Sequence, residues 1–132
     1  MGHWMIALGA VLAAAAVGAG AFGAHALADS LDPRALALWE TAARYLMYGA
    51  LGTLVSGVLE RLWATRLLLA AGAMLLAGTV VFSGTVFALA LGAPPFVGAI
   101  TPLGGLLLIA GFLVIAWAAG DRYFEARDED SG

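Results

Sequence analysis

The sequence predicts an all-α polytopic membrane protein, a compact bundle of four transmembrane helices. Hydrophobic residues make up 63% of the 132 positions and charged residues only 11%, whereas soluble domains carry roughly a quarter charged residues. Four apolar runs, each long enough to cross the roughly 30 Å hydrocarbon core as a helix, account for most of the chain. No soluble domain of useful size can be added, so a single membrane domain is expected over residues 1–132.

The first predicted helix covers residues 4–27 and has no charged residue. After Gly9 it consists mostly of Ala and Gly, so other helices can approach its backbone, and we expect it at the centre of the bundle. Ala24-His25-Ala26 resembles a signal-peptide cleavage site, but the apolar run is too long and no Lys or Arg precedes it, so an uncleaved span is expected. One face is predicted to be a packing stripe of Ala7, Ala10, Ala14, Gly18, Ala21 and His25.

The second predicted helix covers residues 33–62, and Asp32-Pro33 has the form of an N-cap followed by proline at the first helical position. At ~45 Å it exceeds the hydrocarbon core, so its first part is expected outside it. Glu40 and Arg44 are four residues apart and are interpreted as an interfacial ion pair. A second stripe is expected to face the first helix, and it consists of Thr41, Tyr45, Tyr48, Gly52 and Ser56.

The third and fourth predicted helices cover residues 66–91 and 102–120, followed by a short acidic tail over 121–132. Thr101-Pro102 repeats the pattern of a cap followed by proline. Small and hydroxyl residues accumulate in the later half of the third helix, and Gly104-Gly105 near the start of the fourth are expected to allow a close helix crossing. Close crossings are also predicted at Gly20 in the first helix and at Gly84 in the third.

Four spans place both termini on one side of the membrane. Arg61, Arg66, Arg122 and Arg127 lie on that side, whereas only Arg34 and Arg44 lie on the other, so the positive-inside rule favours cytoplasmic termini in the cell (inner) membrane. The helix ends that then meet at the outer face define a candidate binding layer of His25, Trp39, Glu40, Arg44, Tyr45, Ser83 and Thr101.

His25 has two interpretations. It is either an interfacial histidine that bonds a loop carbonyl, or a binding or proton-carrying group held in the bundle. A hydrogen bond from its imidazole to the start of the second or fourth helix is expected to orient it. One imidazole with one carboxylate is a poor ligand set, so no metal site is predicted.

Four short motifs follow one another along the chain. They are Gly20-Ala21-Phe22-Gly23-Ala24-His25-Ala26-Leu27, Trp39-Glu40-Thr41-Ala42 with Tyr45, Phe82-Ser83-Gly84, and Ile100-Thr101-Pro102-Leu103-Gly104-Gly105. Together they resemble one family, the small bacterial membrane proteins known as YgdD-like or YwdK-like, or domain-of-unknown-function 423, which has mitochondrial relatives. The resemblance covers residues 20 to about 117 and implies a four-helix membrane protein, without an established activity.

The chain departs from this family at two positions. After the tyrosine the family usually has a glutamine and then a histidine, and the corresponding residues here are Leu46 and Gly49. A second imidazole near His25 is therefore missing, so a function that relatives perform with that polar pair is either lost here or independent of it.

The residue patterns bear differently on three classes of function. No Ser-His-Asp, HExxH or paired-acid pattern is present, and the chain has no cysteine, so we predict no enzyme, no catalytic residue and no cofactor. The spans have almost no ionisable group at the midplane, which argues against an ion or proton route through one monomer. The alternative function is therefore a small transporter or channel that acts as an oligomer. A binding or accessory module for a lipid, a quinone-like molecule or a partner membrane protein fits best. The predicted partners are membrane lipid, with a homo-oligomer or a partner membrane protein also open, and no nucleic acid.

Overall fold

The computed structural model describes all 132 residues and contains helices and no strand. Three segments are long and apolar enough to cross a membrane, namely α1, α3 and the segment Pro95–Asp130. Since α2 packs against both α1 and α3, it crosses with them, and the all-α membrane fold is confirmed. The helices are α1 (His3–His25), α2 (Pro33–Trp63), α3 (Arg66–Ala90) and α4 (Thr101–Asp130), with a short 3-10 helix at Pro95–Ala99 before α4.

Local chemistry explains most of the helix ends. The Asp32 carboxylate accepts a hydrogen bond of 2.8 Å from the amide of Ala35, which confirms the predicted cap of α2. Ala64 adopts a left-handed φ of 51° and ends α2, and the next residue, Thr65, caps α3. Gly92 has a φ of 95° immediately after the residue that caps the C-terminus of α3, a conformation that favours glycine.

Two predicted ends differ from the structure. Thr101 is the first residue of α4, and the position before the helix makes no side-chain cap, so Thr101 does not act as the expected N-cap. At the other end, α4 continues to Asp130 instead of ending near Gly120. The last residues contain several strong helix formers, Glu and Arg among them, and they extend the helix beyond its apolar part.

The helices are arranged with α2 and α3 in the centre. α1 packs mainly against α2, α4 packs mainly against α3, and α1 and α4 do not pack against each other. The expectation that the first helix is central is therefore wrong. α1 buries only one narrow line of residues, Met5, Gly9, Ala16 and Gly23, whereas α2 and α3 each bury nine residues.

The predicted packing stripes also face elsewhere. Every member of the α1 stripe, from Ala7 to His25, is exposed. The α2 stripe meets α3 and α4 rather than α1, since the Ser56 hydroxyl donates to the carbonyl of Leu68 at 2.7 Å. Gly52 lies against the ring of Phe112.

The close crossing expected at Gly104 near the start of α4 is present, and others occur at glycines for which none was predicted. A Cβ atom at Gly9 would lie 2.7 Å from the carbonyl oxygen of Ala50, and one at Gly78 would lie 2.8 Å from that of Gly104. These positions have no space for a side chain, which is how small residues let transmembrane helices pack. In contrast, Gly20 and Gly84 have nothing within 4 Å, so the expectation of crossings there is wrong.

Candidate functional site

Trp39 joins three helices at the end of the bundle where α2 begins. Its indole Nε1 donates a hydrogen bond of 2.8 Å to the carbonyl of Ala19 in α1. A Cβ atom at Gly23 would lie only 2.8 Å from the same nitrogen, so glycine is what lets α1 approach the indole. On the other side, the Phe87 ring of α3 lies 4.6 Å from the Trp39 ring. Trp39 is therefore an anchor between helices, with its polar atom already bonded.

Tyr45 belongs to an aromatic cluster between α2 and α3. Its ring centroid lies 4.5 Å from that of Phe82 and 5.3 Å from that of Tyr48. Separations of this size are typical of favourable aromatic pairs. Neither tyrosine hydroxyl has a hydrogen-bond partner within the protein, and both side chains are partly exposed. The cluster thus presents two phenol groups to the surroundings of the protein.

Ser83 and Thr101 are used for helix packing at this end. Ser83 is 2% exposed and faces the interior, where its hydroxyl is the one buried side-chain polar atom without a hydrogen-bond partner. The Thr101 hydroxyl lies 2.7 Å from that of Thr85, and the pair joins α3 to α4. The Thr85 hydroxyl is also 2.8 Å from the carbonyl of Val81.

The three ionisable members of the predicted layer are exposed. His25 is the last residue of α1 and its imidazole makes no hydrogen bond, so the expected bond to the start of α2 or α4 is not formed. Glu40 and Arg44 do not form the predicted ion pair, since the structure contains ion pairs only at Glu60 and between Arg122 and Glu125. Within the layer, Trp39, Tyr45, Ser83 and Thr101 therefore take part in packing between helices, whereas the side chains of His25, Glu40 and Arg44 form no hydrogen bond or ion pair.

One feature that the sequence pattern did not reveal is an apolar groove between α2 and α4. These two helices hardly touch, because each packs on α3. The space between them consists of two adjoining cavities of about 410 and 340 Å³, which share Tyr48 and Phe112. The groove is lined by Tyr45, Tyr48, Leu51, Gly52, Val55, Phe82, Gly105, Leu108, Ile109, Phe112 and Ile115.

Tyr48 is the residue whose role was misassigned from sequence. It is a member of the predicted α2 stripe, but its side chain is 48% exposed and contributes to both cavities. Two tyrosines three residues apart, followed by Gly52, were a signal of a groove with aromatic walls, because a glycine on that face leaves an indentation.

Gly49, one of the two departures from the family pattern, is buried against Thr79. A Cβ atom there would overlap the Thr79 side chain. A histidine at this position cannot be accommodated without moving α3, so the local packing itself excludes the missing imidazole.

Comparison with known proteins identifies one family of membrane proteins. Residues 19–105 match the family model described as "Protein of unknown function (DUF423)". A UPF0382 membrane protein of Staphylococcus epidermidis is 46% identical over 113 residues, which cover 86% of this chain and 92% of the relative. The UPF0382 membrane protein YwdK of Bacillus subtilis is 42% identical over 115 residues, 86% of this chain and 94% of the relative. No solved structure was found to match.

The matched segment includes the Trp39 anchor and part of the groove, whose remaining α4 residues follow Gly105. It begins at Ala19, whose carbonyl accepts the Trp39 hydrogen bond, and it ends at Gly105, which lines the groove. The anchor between α1 and α2 therefore lies wholly inside the matched segment, as do the α2 residues of the groove.

Proposed function

This chain belongs to the DUF423 family of membrane proteins, and we propose that it is a non-catalytic binding or accessory module of the cell (inner) membrane. In this proposal it holds a membrane-embedded amphiphile, a lipid or a quinone-like molecule, by its apolar tail. The observation that carries the proposal is the groove between α2 and α4, which opens to the surroundings of the bundle.

The chemistry of the groove suits an apolar tail. Five of the six residues around its larger cavity are hydrophobic, and so are six of the seven around the smaller one. Ligand pockets typically have volumes of roughly 300–1,000 Å³ and mostly apolar walls, and the two cavities fall in this range. Phe112 and Phe82 supply flat surfaces, and the tyrosine hydroxyls supply polar groups at one end.

The proposed orientation has cytoplasmic termini. Arg61, Arg66 and Arg122 lie near the end where α2 finishes and α3 starts, and Arg34 and Arg44 lie in the first half of α2. The excess of arginine at the first end supports this orientation under the positive-inside rule. The groove residues Tyr45 and Tyr48 then lie in the outer half of the membrane.

Filling the groove tests the proposal. A Cβ atom at Gly105 would make only ordinary contacts, 3.7 Å from the Phe82 ring, so Gly105→Leu is expected to fold and to place its side chain in the smaller cavity. We expect this variant to retain less lipid per protomer than the wild type, measured by native mass spectrometry from gentle detergent.

The matched control is Gly20→Leu, a change of the same size at an exposed position that has nothing within 4 Å and lies outside the groove. It should retain as much lipid as the wild type. Equal retention in the wild type and in Gly105→Leu, with both variants folded, would show that the groove is not the binding site.

A further inference from the structure

One face of α2 changes from charged to aromatic to aliphatic side chains between its first turns and its middle. Its residues are spaced four, four, three and four apart, which places them one above another along the helix. All are exposed, and the last three line the larger cavity of the groove. In order, they are Glu40, Arg44, Tyr48, Leu51 and Val55.

The two charged members of this face are available to a ligand. Glu40 precedes Arg44 by one turn, the order that favours an ion pair, yet the structure has no ion pair between them or to any other residue. Both side chains are exposed, so a carboxylate and a guanidinium face outward, side by side, directly beyond the groove.

Arg44 is placed where its charge can meet a lipid headgroup. The 31 residues of α2 extend about 46 Å at roughly 1.5 Å per residue, longer than the roughly 30 Å hydrocarbon core, so part of the helix lies outside the core. Arg44 is exposed and lies in the first half of this helix. A long charged side chain on a lipid-facing helix extends to the interface, where the phosphate of a headgroup can pair with it.

We infer that this face binds a zwitterionic glycerophospholipid with a phosphoethanolamine headgroup. This assignment rests on the proposed function, because the groove holds the acyl chain. The Arg44 guanidinium pairs with the phosphate, and the Glu40 carboxylate, one turn further out, accepts hydrogen bonds from the terminal ammonium. The Tyr48 hydroxyl lies at the level of the glycerol esters, whose carbonyls accept its hydrogen bond.

The order of groups along the helix is what selects this lipid class. In such a lipid the ammonium is farthest from the chains, followed by the phosphate, the esters and the chains, which is the order of complementary groups on α2. An anionic headgroup without an amine would leave Glu40 beside a negative or neutral group. A quinone-like ring has no cation for Glu40 and no anion for Arg44.

Competition between two lipids tests the assignment. The full chain is reconstituted in vesicles of equimolar palmitoyl-oleoyl phosphatidylethanolamine and phosphatidylglycerol and is then extracted in a mild detergent. The lipids that remain bound to it are counted by native mass spectrometry. We expect the wild type to retain phosphatidylethanolamine over phosphatidylglycerol by about fivefold, equivalent to ~1 kcal/mol, the upper range of one exposed ion pair.

Two variants separate the two charges, and a third is their control. Glu40→Gln should retain both lipids equally, without loss of total lipid. Arg44→Gln should lower retention of both lipids. Arg34→Gln removes another exposed arginine of α2 that lies outside this face, and it should behave as the wild type.

The same ratio of the two lipids in Glu40→Gln and the wild type would overturn the headgroup assignment. If Gly105→Leu still lowers retention of both lipids in that case, the groove remains a binding site and only the assignment fails. If Gly105→Leu changes nothing, the proposed function itself fails. All these positions are exposed or line the groove, and circular dichroism confirms that each variant is helical before lipids are counted.

Discussion

At the scale of single residues, Trp39 shows how one side chain can connect three helices. Its indole nitrogen donates a hydrogen bond to a carbonyl of α1, and its ring packs on Phe87 of α3. Because Gly23 has no side chain, the indole has room against α1. The sequence marked Trp39 as a member of a binding layer. Its bonded nitrogen and its packed ring show a residue that positions α1 beside α2.

Replacing Trp39 by Phe tests this role. The phenyl ring keeps part of the packing but cannot donate to the Ala19 carbonyl, so the variant should lose about 1 kcal/mol of stability. The measurement is thermal unfolding in detergent, followed by circular dichroism. Trp117→Phe is the control, because Trp117 is 64% exposed and its indole makes no hydrogen bond within the protein. Equal melting temperatures for both variants would contradict the anchoring role.

At the scale of helices, the pairs α1–α2, α2–α3 and α3–α4 each form around glycines that have no space for a Cβ atom. Gly9 and Gly57 serve the first pair, Gly49 the second, and Gly78 with Gly104 the third. Because lipid tails are as apolar as leucine, close backbone approach and the van der Waals contacts it allows hold such helices together.

The α3–α4 crossing gives a sharp prediction. A methyl group at Gly78 would lie 2.8 Å from backbone atoms of Gly104 and Leu108, which cannot rotate away, so Gly78→Ala should destabilise the fold by about 1–3 kcal/mol. Gly84→Ala is the control on the same helix, since nothing lies within 4 Å and alanine favours helix. A lower melting temperature for Gly78→Ala alone is expected. A loss at Gly84 of the same size would contradict the assignment of the crossing.

At the scale of the whole molecule, four antiparallel spans place the loop before α2 and the end of α4 on opposite sides of the membrane. The chain has no cysteine, so single cysteines can be introduced without interference. Cysteines at Ser30 and Ser131, both exposed, should react with a membrane-impermeant maleimide from opposite sides, Ser30 from outside the cell. Labelling of both from the same side would reject the four-span topology, and exchanged sides would reject only the orientation.

Most of the fold could be predicted from the sequence, whereas much less of the candidate site could be. The apolar runs and the Asp32-Pro33 cap located the helices, apart from the extension of α4 to Asp130. For the candidate layer, the sequence predicted only that its residues lie towards the same end of the bundle. It did not distinguish Trp39, whose polar atom is bonded, from Glu40, whose charge is free, because that depends on atoms of other helices.

The sequence by itself determined the number of helices, their approximate limits and their place in a membrane, because these follow from local hydropathy and local capping. Only the tertiary structure decided which faces meet, that α1 lies at the edge, and that a groove separates α2 from α4. The physical reason is that lipid and protein interior are equally apolar, so a residue such as Ala14, exposed here, has the same hydropathy as the buried Ala16. Whether a neighbouring helix fits against it depends on shape, and shape is a property of two helices together.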